Sequence, residues 1–314
     1  MKTCEFKPLK IKLSQICFGG AALSGEGGGY GFGTLSEKEA EYILIQSFEK
    51  GINFFDTAPI YGFGLSEIRI GKYLKQVRDK IVVISKSGIN WHESKRVDRT
   101  NSREVTEKML GESLNRLNFD YIDCYMIHWP DPRTDIRIPM EVLSKAKQAG
   151  KIRSIGLCNT NIEDLQKALE IDTVDLVQSE VNFFKNAIKG ELQDLLQKNS
   201  ISAMGWGTFD KGILLDKVTK ERKYEKCDAR SSAPWWKQQD LDKKLTIVKK
   251  LKQELQNTNH NLIEFNLGYN FLEANLLACA IGYKNLEQLE SILLALDNLP
   301  QNETITRIKN HVNS

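Results

Sequence analysis

Apolar and polar positions along the chain alternate between two patterns. Short runs that are apolar on both faces and rich in β-branched residues occur at 16–20 (ICFGG), 52–58 (INFFDTA), 81–86 (IVVISK) and 121–128 (YIDCYMIH). Four more follow at 152–159, 174–180, 201–206 and 276–282. Runs of this kind predict parallel strands covered on both sides by other elements. The stretches between them place apolar residues three and four apart, most clearly at 103–117 and 138–149, and predict amphipathic helices. Ser36 with Glu39, and Thr160 with Glu163, have the spacing of helix-opening capping boxes, and Gly150 suits a helix end. A short hairpin is expected to open the chain, residues 9–13 turning into 15–18. A polar, irregular stretch over 217–237 and a charged helix over 240–256 are expected as an insertion before the last strand–helix unit. Eight strands alternating with helices predict an α/β fold, a closed (β/α)8 TIM barrel, as a single domain over residues 1–314.

Composition adds exclusions. Basic residues number 44 and acidic residues 41, for a net charge of +3, and the basic ones are dispersed. No nucleic-acid partner is expected from that balance. Six cysteines lie far apart with no C-x-x-C pair, which reads as small buried hydrophobes in a reducing compartment, with no metal site. The amino terminus has no signal-peptide core, and no uncharged apolar stretch approaches the ~20 residues of a membrane span. A cytoplasmic protein is expected.

The segment Gly25–Gly33, GEGGGYGFG, follows the first strand and invites a dinucleotide-fold reading, with Asp56 on a ribose. The glycines run on past that fingerprint, and Ser36 rather than a glycine opens the helix. A flexible loop beside a site is the better reading.

Catalytic groups in barrels come from the carboxyl ends of the strands. Those positions hold Asp56, Lys86, His128, Asn159, Gln178 and Trp206, with Gly282 at the eighth. Taken singly, a strand-end histidine is more often structural and a strand-end lysine more often solvated; their joint placement carries the reading. Tyr61 lies just beyond the second strand, in DTAPIYGFGLSE. A free phenol, with a pKa of about 10, is a slow acid at neutral pH. An adjacent ammonium stabilises the phenolate, a carboxylate holds the ammonium in place, and an imidazole can orient a substrate oxygen. Asp56, Tyr61, Lys86 and His128 together suit protonation of a carbonyl oxygen as hydride reaches carbon.

These residues are where the sequence resembles the aldo-keto reductase family. INFFDTAPIYGFGLSEIRIGKYL is similar to the family's Asp/Tyr segment, VVISK to its lysine strand and MIHWPD to its histidine strand. KIRSIGLCN, VQSEVNFF and AIGYKNLEQLE resemble its cofactor-binding segments, so the likeness covers nearly the whole chain. It implies reduction of an aldehyde, ketone or keto-sugar by direct hydride transfer from a nicotinamide cofactor, with Asp56, Tyr61, Lys86 and His128 as the catalytic set. It further implies nicotinamide amide contacts at Asn159 and Gln178, ring stacking on Trp206, and a pyrophosphate loop of Gly207, Thr208, Phe209 and Gly212. Gly282, Lys284 and Gln288 fall in the adenosine-binding segment. NADP(H) is favoured because Lys284 can meet a 2′-phosphate, with NAD(H) the alternative. The family's usual Ser before Asn159 is Cys158 here, its Ser-Pro-Leu is Gly207-Thr208-Phe209, and Ser291-Ile292 stands where Glu-Asn is usual.

Trp91, Trp129, Trp235 and Trp236 are candidate walls of the substrate pocket, the last two as a lid or as loop anchors. Two rival functions stay open at this level. One is a lyase forming a Schiff base on Lys86, which needs a neutral lysine. The other is a cofactor-binding partner protein resembling the β-subunits of potassium channels. Oligomeric state is not indicated.

Overall fold

The computed structural model describes residues 1–313, with the side chains of Trp235 and Asn313 outside the description. Two antiparallel strands, β1 (Thr3–Phe6) and β2 (Ile11–Ser14), form the opening hairpin. This corrects the expected 9–13/15–18 pairing. Pro8 has no N–H to give a ladder, so residues 7–9 form the 3-10 turn and the arms lie on either side of it. The segment read as the second arm is instead the first barrel strand.

Eight strands form that barrel: β3 (Ile16–Gly19), β4 (Phe54–Asp56), β5 (Val82–Ser87), β6 (Ile122–Ile127), β7 (Ile152–Cys158), β8 (Leu176–Asn182), β9 (Ser202–Trp206) and β10 (Ala278–Ile281). Each pairs in parallel with the next, and β10 pairs with β3 to close the ring. The helices α1 (Glu37–Glu49), α2 (Leu65–Leu74), α3 (Arg103–Leu117), α4 (Arg137–Gln148), α5 (Ile162–Leu169) and α6 (Glu191–Lys198) each follow one strand. After β9 come the irregular segment, then α7 (Leu241–Leu255) and α8 (Leu262–Gly268); α9 (Leu286–Asp297) and α10 (Asn302–Asn313) follow β10. The capping box at Ser36 is present, whereas α5 is capped by Asn161, one residue after the expected Thr160. Among the described residues no helix is long and apolar enough to cross a membrane.

Strand alternation sorts the side chains into two cores. Phe18, Phe55, Val83, Tyr125, Ile155 and Val177 point outward into the large cluster shared with the helices. Cys17, Phe54, Val82, Ile84, Cys124, Met126, Leu176, Met204 and Ala278 fill the lumen, closed from below by Phe6 and Leu13 of the hairpin. The inward face recurs at every second residue. One step beyond the last apolar layer it therefore presents Asp56 after Phe54, Lys86 after Ile84, His128 after Met126, Gln178 after Leu176 and Trp206 after Met204. The polar mouth is the top layer of the same period that builds the core.

Candidate active site

Lys86 is fully buried, and its Nζ donates to Asp56 Oδ1 at 2.5 Å and to the carbonyl of Thr57 at 2.9 Å. Burial disfavours the ammonium, but attraction to Asp56, joined by Tyr61 and Cys158, together outweighs that cost and raises the Lys86 pKa. The Lys86 Nζ lies 5.3 Å from the centroid of the Tyr61 ring. The Tyr61 ring meets His128 edge-to-face, with centroids 5.9 Å apart. Burial holds the Tyr61 phenol above its ordinary pKa, and the Lys86 ammonium pulls against that shift. His128 is pushed well below its usual range by burial, reinforced by Lys86, and is neutral at pH 7.

Tyr61 is delivered by a loop, and α2 pins that loop to the barrel. Ser66 accepts a hydrogen bond from Thr57 Oγ1 at 2.8 Å and donates to the Gly20 carbonyl at 2.9 Å. Glu67 is fully buried, accepts from Ser85 Oγ at 2.6 Å and pairs with Arg116 of α3 at 2.6 Å. Ser85 immediately precedes Lys86, so one carboxylate ties the tyrosine segment to the lysine strand. Glu67 is not a strand-end residue, so the strand ends alone do not mark it. Its signal was a charge on the buried stripe Glu67–Ile70–Leu74 of α2. On the other side, Gly29 makes a β-bridge with Tyr61, so the glycine-rich segment lies across the mouth; a side chain at Gly29 would meet the Ile60 carbonyl at 2.2 Å. The bridge between Phe32 and Asp228 joins that segment to the late irregular loop.

The other candidates fall into three groups. Gln178 Nε2 donates to Asp56 Oδ1 at 3.0 Å, and its Oε1 accepts the Cys158 thiol at 3.2 Å. Asn159, held at a left-handed φ of 55°, accepts from Trp206 Nε1 at 3.0 Å and donates to the His128 carbonyl at 3.1 Å. The backbone turn at Asn159 brings its amide to the mouth one residue out of the strand's period. Lys211 stands over the half-buried Trp206 at 5.5 Å.

The loop Gly207–Gly212 turns through left-handed angles at Gly207, Asp210, Lys211 and Gly212, and the Thr208 side chain is buried beside the Cys279 thiol. Phe209 packs partly buried against the helix-side core. A loop of such left-handed turns, which points backbone N–H groups into one concavity, fits phosphate oxygens. A Gln178 oxygen met only by a thiol, a weak donor, fits a carboxamide N–H. Gly282 lies against Ala22, beside β3. Lys284 Nζ donates to the Thr34 carbonyl at 2.8 Å, and Gln288 accepts from the Lys284 N–H, closing the turn after β10.

Trp91 and Trp129 join Tyr30, Tyr61 and Phe63 in one aromatic cluster around Ala58, Ile60 and Ile89. Trp236 does not: it packs edge-to-face on Tyr224, with centroids 5.6 Å apart, and against the helix-side core. Of the two alternatives for this residue, loop anchor and pocket wall, the contacts are those of an anchor. The Trp235 side chain lies outside the described part of the structure.

A family model described as the aldo/keto reductase family matches residues 15–313. An aldo-keto reductase of Bacillus subtilis, YhdN, is 31% identical over 77% of this chain and 72% of its own length. The NADH-specific methylglyoxal reductase of Escherichia coli is 27% identical over 95% and 94% of the two chains. Among solved structures, the glycerol dehydrogenase AKR11B4 of Gluconobacter oxydans superposes with a TM-score of 0.83 at 24% identity, over 98% of this chain and 94% of that one. The chain belongs to the aldo/keto reductase family and is an NAD(P)-dependent oxidoreductase.

Proposed function

We propose that Tyr61 is the proton donor in the reduction of an aldehyde, ketone or keto-sugar to an alcohol. The observation that carries this is the buried Lys86–Asp56 pair, 2.5 Å long, with its ammonium beside the Tyr61 ring. Reduced nicotinamide, when bound, supplies the hydride to the carbonyl carbon. As the C=O π electrons move to oxygen, Tyr61 gives that oxygen its proton. The phenolate left behind is stabilised by Lys86, whose charge Asp56 maintains, and is reprotonated from solvent. Neutral His128 hydrogen-bonds the same oxygen and sets its direction. Asn159 and Gln178 would hold the nicotinamide amide, Trp206 its ring, and residues 207–212 the pyrophosphate. The Schiff-base reading is disfavoured by the raised pKa of Lys86, which keeps the nitrogen protonated and non-nucleophilic.

The finer cofactor assignment, NADP(H), rests on Lys284 as the partner of a 2′-phosphate, with Gly282 and Gln288 beside it. Glu225 and Asp228 approach the same lysine and compete for it: Glu225 Oε2, Asp228 Oδ2 and Lys284 Nζ all lie within 3.5 Å of the point where a side chain at Gly33 would begin. Relatives carry both labels, NADH-specific and NADP(+). Titrating NADPH and NADH separately by quenching of tryptophan fluorescence decides the matter: tighter NADPH binding is expected, and tighter NADH binding contradicts it. Six free thiols favour a reducing, cytoplasmic location.

The functional test is turnover of an aldehyde panel, followed by nicotinamide absorbance, in wild type and Tyr61→Phe. A loss of about 10²–10⁴-fold in the variant is expected. Equal rates would remove Tyr61 from the role of acid.

A further inference from the structure

Several cations border the aromatic cluster around Tyr61: besides Lys86, Lys95 stands 5.3 Å from the centroid of Phe63 and Arg116 6.0 Å from that of Trp91, and Arg99 approaches Trp129. Residues Ile89–Trp91 and Val97–Arg99 form a small antiparallel ribbon after β5, and its register sets Arg99 opposite Ile89 of the cluster. The Arg99 guanidinium stands 5.6 Å from the centroid of Trp129, the residue that follows His128. It lines an open cavity of about 550 Å³ together with Trp129 and Asn159, both at the barrel mouth.

Asp131, Asp135, Glu163 and Asp164 line the same cavity, and its cations differ in how far these carboxylates hold them. Arg133, in the same cavity, is held by Asp131 at 2.9 Å and by Asp98 at 3.5 Å, and Lys167 by Glu163 at 2.7 Å. Arg99 donates to the Pro130 carbonyl at 3.2 Å and forms no ion pair among the described residues. A guanidinium has five N–H donors in a planar fork, and one contact to a carbonyl leaves most of that capacity unused. Stacking on indole keeps the fork in place without neutralising it. The Arg99 side chain is exposed, so the rest of the fork is open to solvent or to a ligand.

We propose that Arg99 is a specificity-determining residue that binds an anionic oxygen group, carboxylate or phosphate, on the substrate. The substrate class is then an aldehyde or ketone carrying such a group at the end remote from the carbonyl. The carbonyl lies at Tyr61 and His128, the body of the molecule against Trp129 and Trp91, and the anion on Arg99. This rests on the carbonyl-reductase reading of the site and deepens it.

The test compares matched pairs in wild type, Arg99→Met and Arg99→Lys: benzaldehyde against 4-carboxybenzaldehyde, and glyceraldehyde against glyceraldehyde 3-phosphate. Wild type is expected to favour the anionic member of at least one pair by about fivefold in kcat/KM, as a lower KM rather than a higher kcat. Whichever pair shows the preference identifies carboxylate or phosphate. Arg99→Met should bring that ratio to about one, and Arg99→Lys should restore part of it. In wild type alone, added salt should erode the ratio by screening, a readout that needs no variant to fold. Reduction of the neutral aldehydes with no anionic preference, or a preference that survives in Arg99→Met, overturns the proposal and leaves the reductase reading standing. If no aldehyde of either kind is reduced with NADPH or NADH, the reductase reading falls and the proposal falls with it.

Discussion

Burial and one another's charges fix the protonation states of three residues at the barrel mouth, Lys86, His128 and Tyr61. Lys86 is kept cationic by Asp56 against the cost of burial, and His128 is kept neutral by burial and by that same cation. Burial holds the Tyr61 phenol protonated, against the pull of the Lys86 ammonium. These directions predict the pH dependence of the reductive reaction. Since His128 does not titrate in its usual range, kcat/KM should show no inflection near pH 6.5. The same shift acts on stability with a definite sign. Below about pH 6.5 an unfolded His128 binds a proton that the folded one does not, so folding weakens as pH falls through that region. Denaturant titrations at pH 7 and pH 5 should show a loss for wild type that His128→Asn reduces.

Asp56, Lys86, His128, Gln178 and Trp206 were legible in the sequence because a period of two carries the inward face from lumen to mouth. Asn159 was legible only as a strand end, since its left-handed φ takes it off that period. Arg99 had no such marker. Its position comes from a ribbon whose exposed, polar sequence, HESKRVDR, carries little strand signal.

At the scale of elements, α2 and the tyrosine loop behave as one unit. The Ser66 and Glu67 contacts fasten this unit to β3, β4, β5 and α3, and Tyr61 sits a few residues before them. Removing the Glu67 carboxylate leaves Arg116, which is only 19% exposed, without its nearest buried partner. Glu67→Ala should therefore cost about 3 kcal/mol in a urea titration. It should also lower kcat by at least about tenfold through displacement of Tyr61 from Lys86. Glu67→Gln, which can still accept from Ser85, should retain more kcat than Glu67→Ala. Equal kcat in the alanine variant and wild type would show that the lock does not set the tyrosine's position. The helix periodicity around this unit was plain in the sequence; the identity of the residue doing the fastening was not, because a glutamate in a first helical turn is ordinarily a solvated favourable charge. The opening hairpin was displaced for a related reason. Its first arm, TCEF, buries only Phe6, too little apolar signal to mark a strand before Pro8.

For the whole molecule, closure of the ring is what places residues from β4, β5, β6, β8 and β9 around one mouth. The hairpin contributes from the far side by sealing the lumen. Phe6 is 1% exposed and packs in the lumen cluster with Phe54 and Met204, layers that support Asp56 above. Phe6→Ala should cost about 3–5 kcal/mol in a denaturant titration, since a large cavity opens in a rigid core. A cost under about 1 kcal/mol would mean that the plug is dispensable. The strand–helix alternation made the barrel readable before any coordinates. Which turns cross the mouth was not readable, because the glycine-rich segment and the late loop meet through backbone bridges at Gly29–Tyr61 and Phe32–Asp228 that leave no side-chain pattern.

In the proposed reaction the Tyr61 hydroxyl, beside Lys86, protonates the substrate oxygen. Stopped-flow mixing of the enzyme, preloaded with reduced nicotinamide, with a saturating aldehyde measures the hydride-transfer step for wild type and Tyr61→Phe directly. A step slowed by about 10²–10⁴-fold is expected in the variant, with cofactor affinity, read from fluorescence quenching, within about twofold of wild type. A variant that transfers hydride at the wild-type rate would contradict this role of Tyr61.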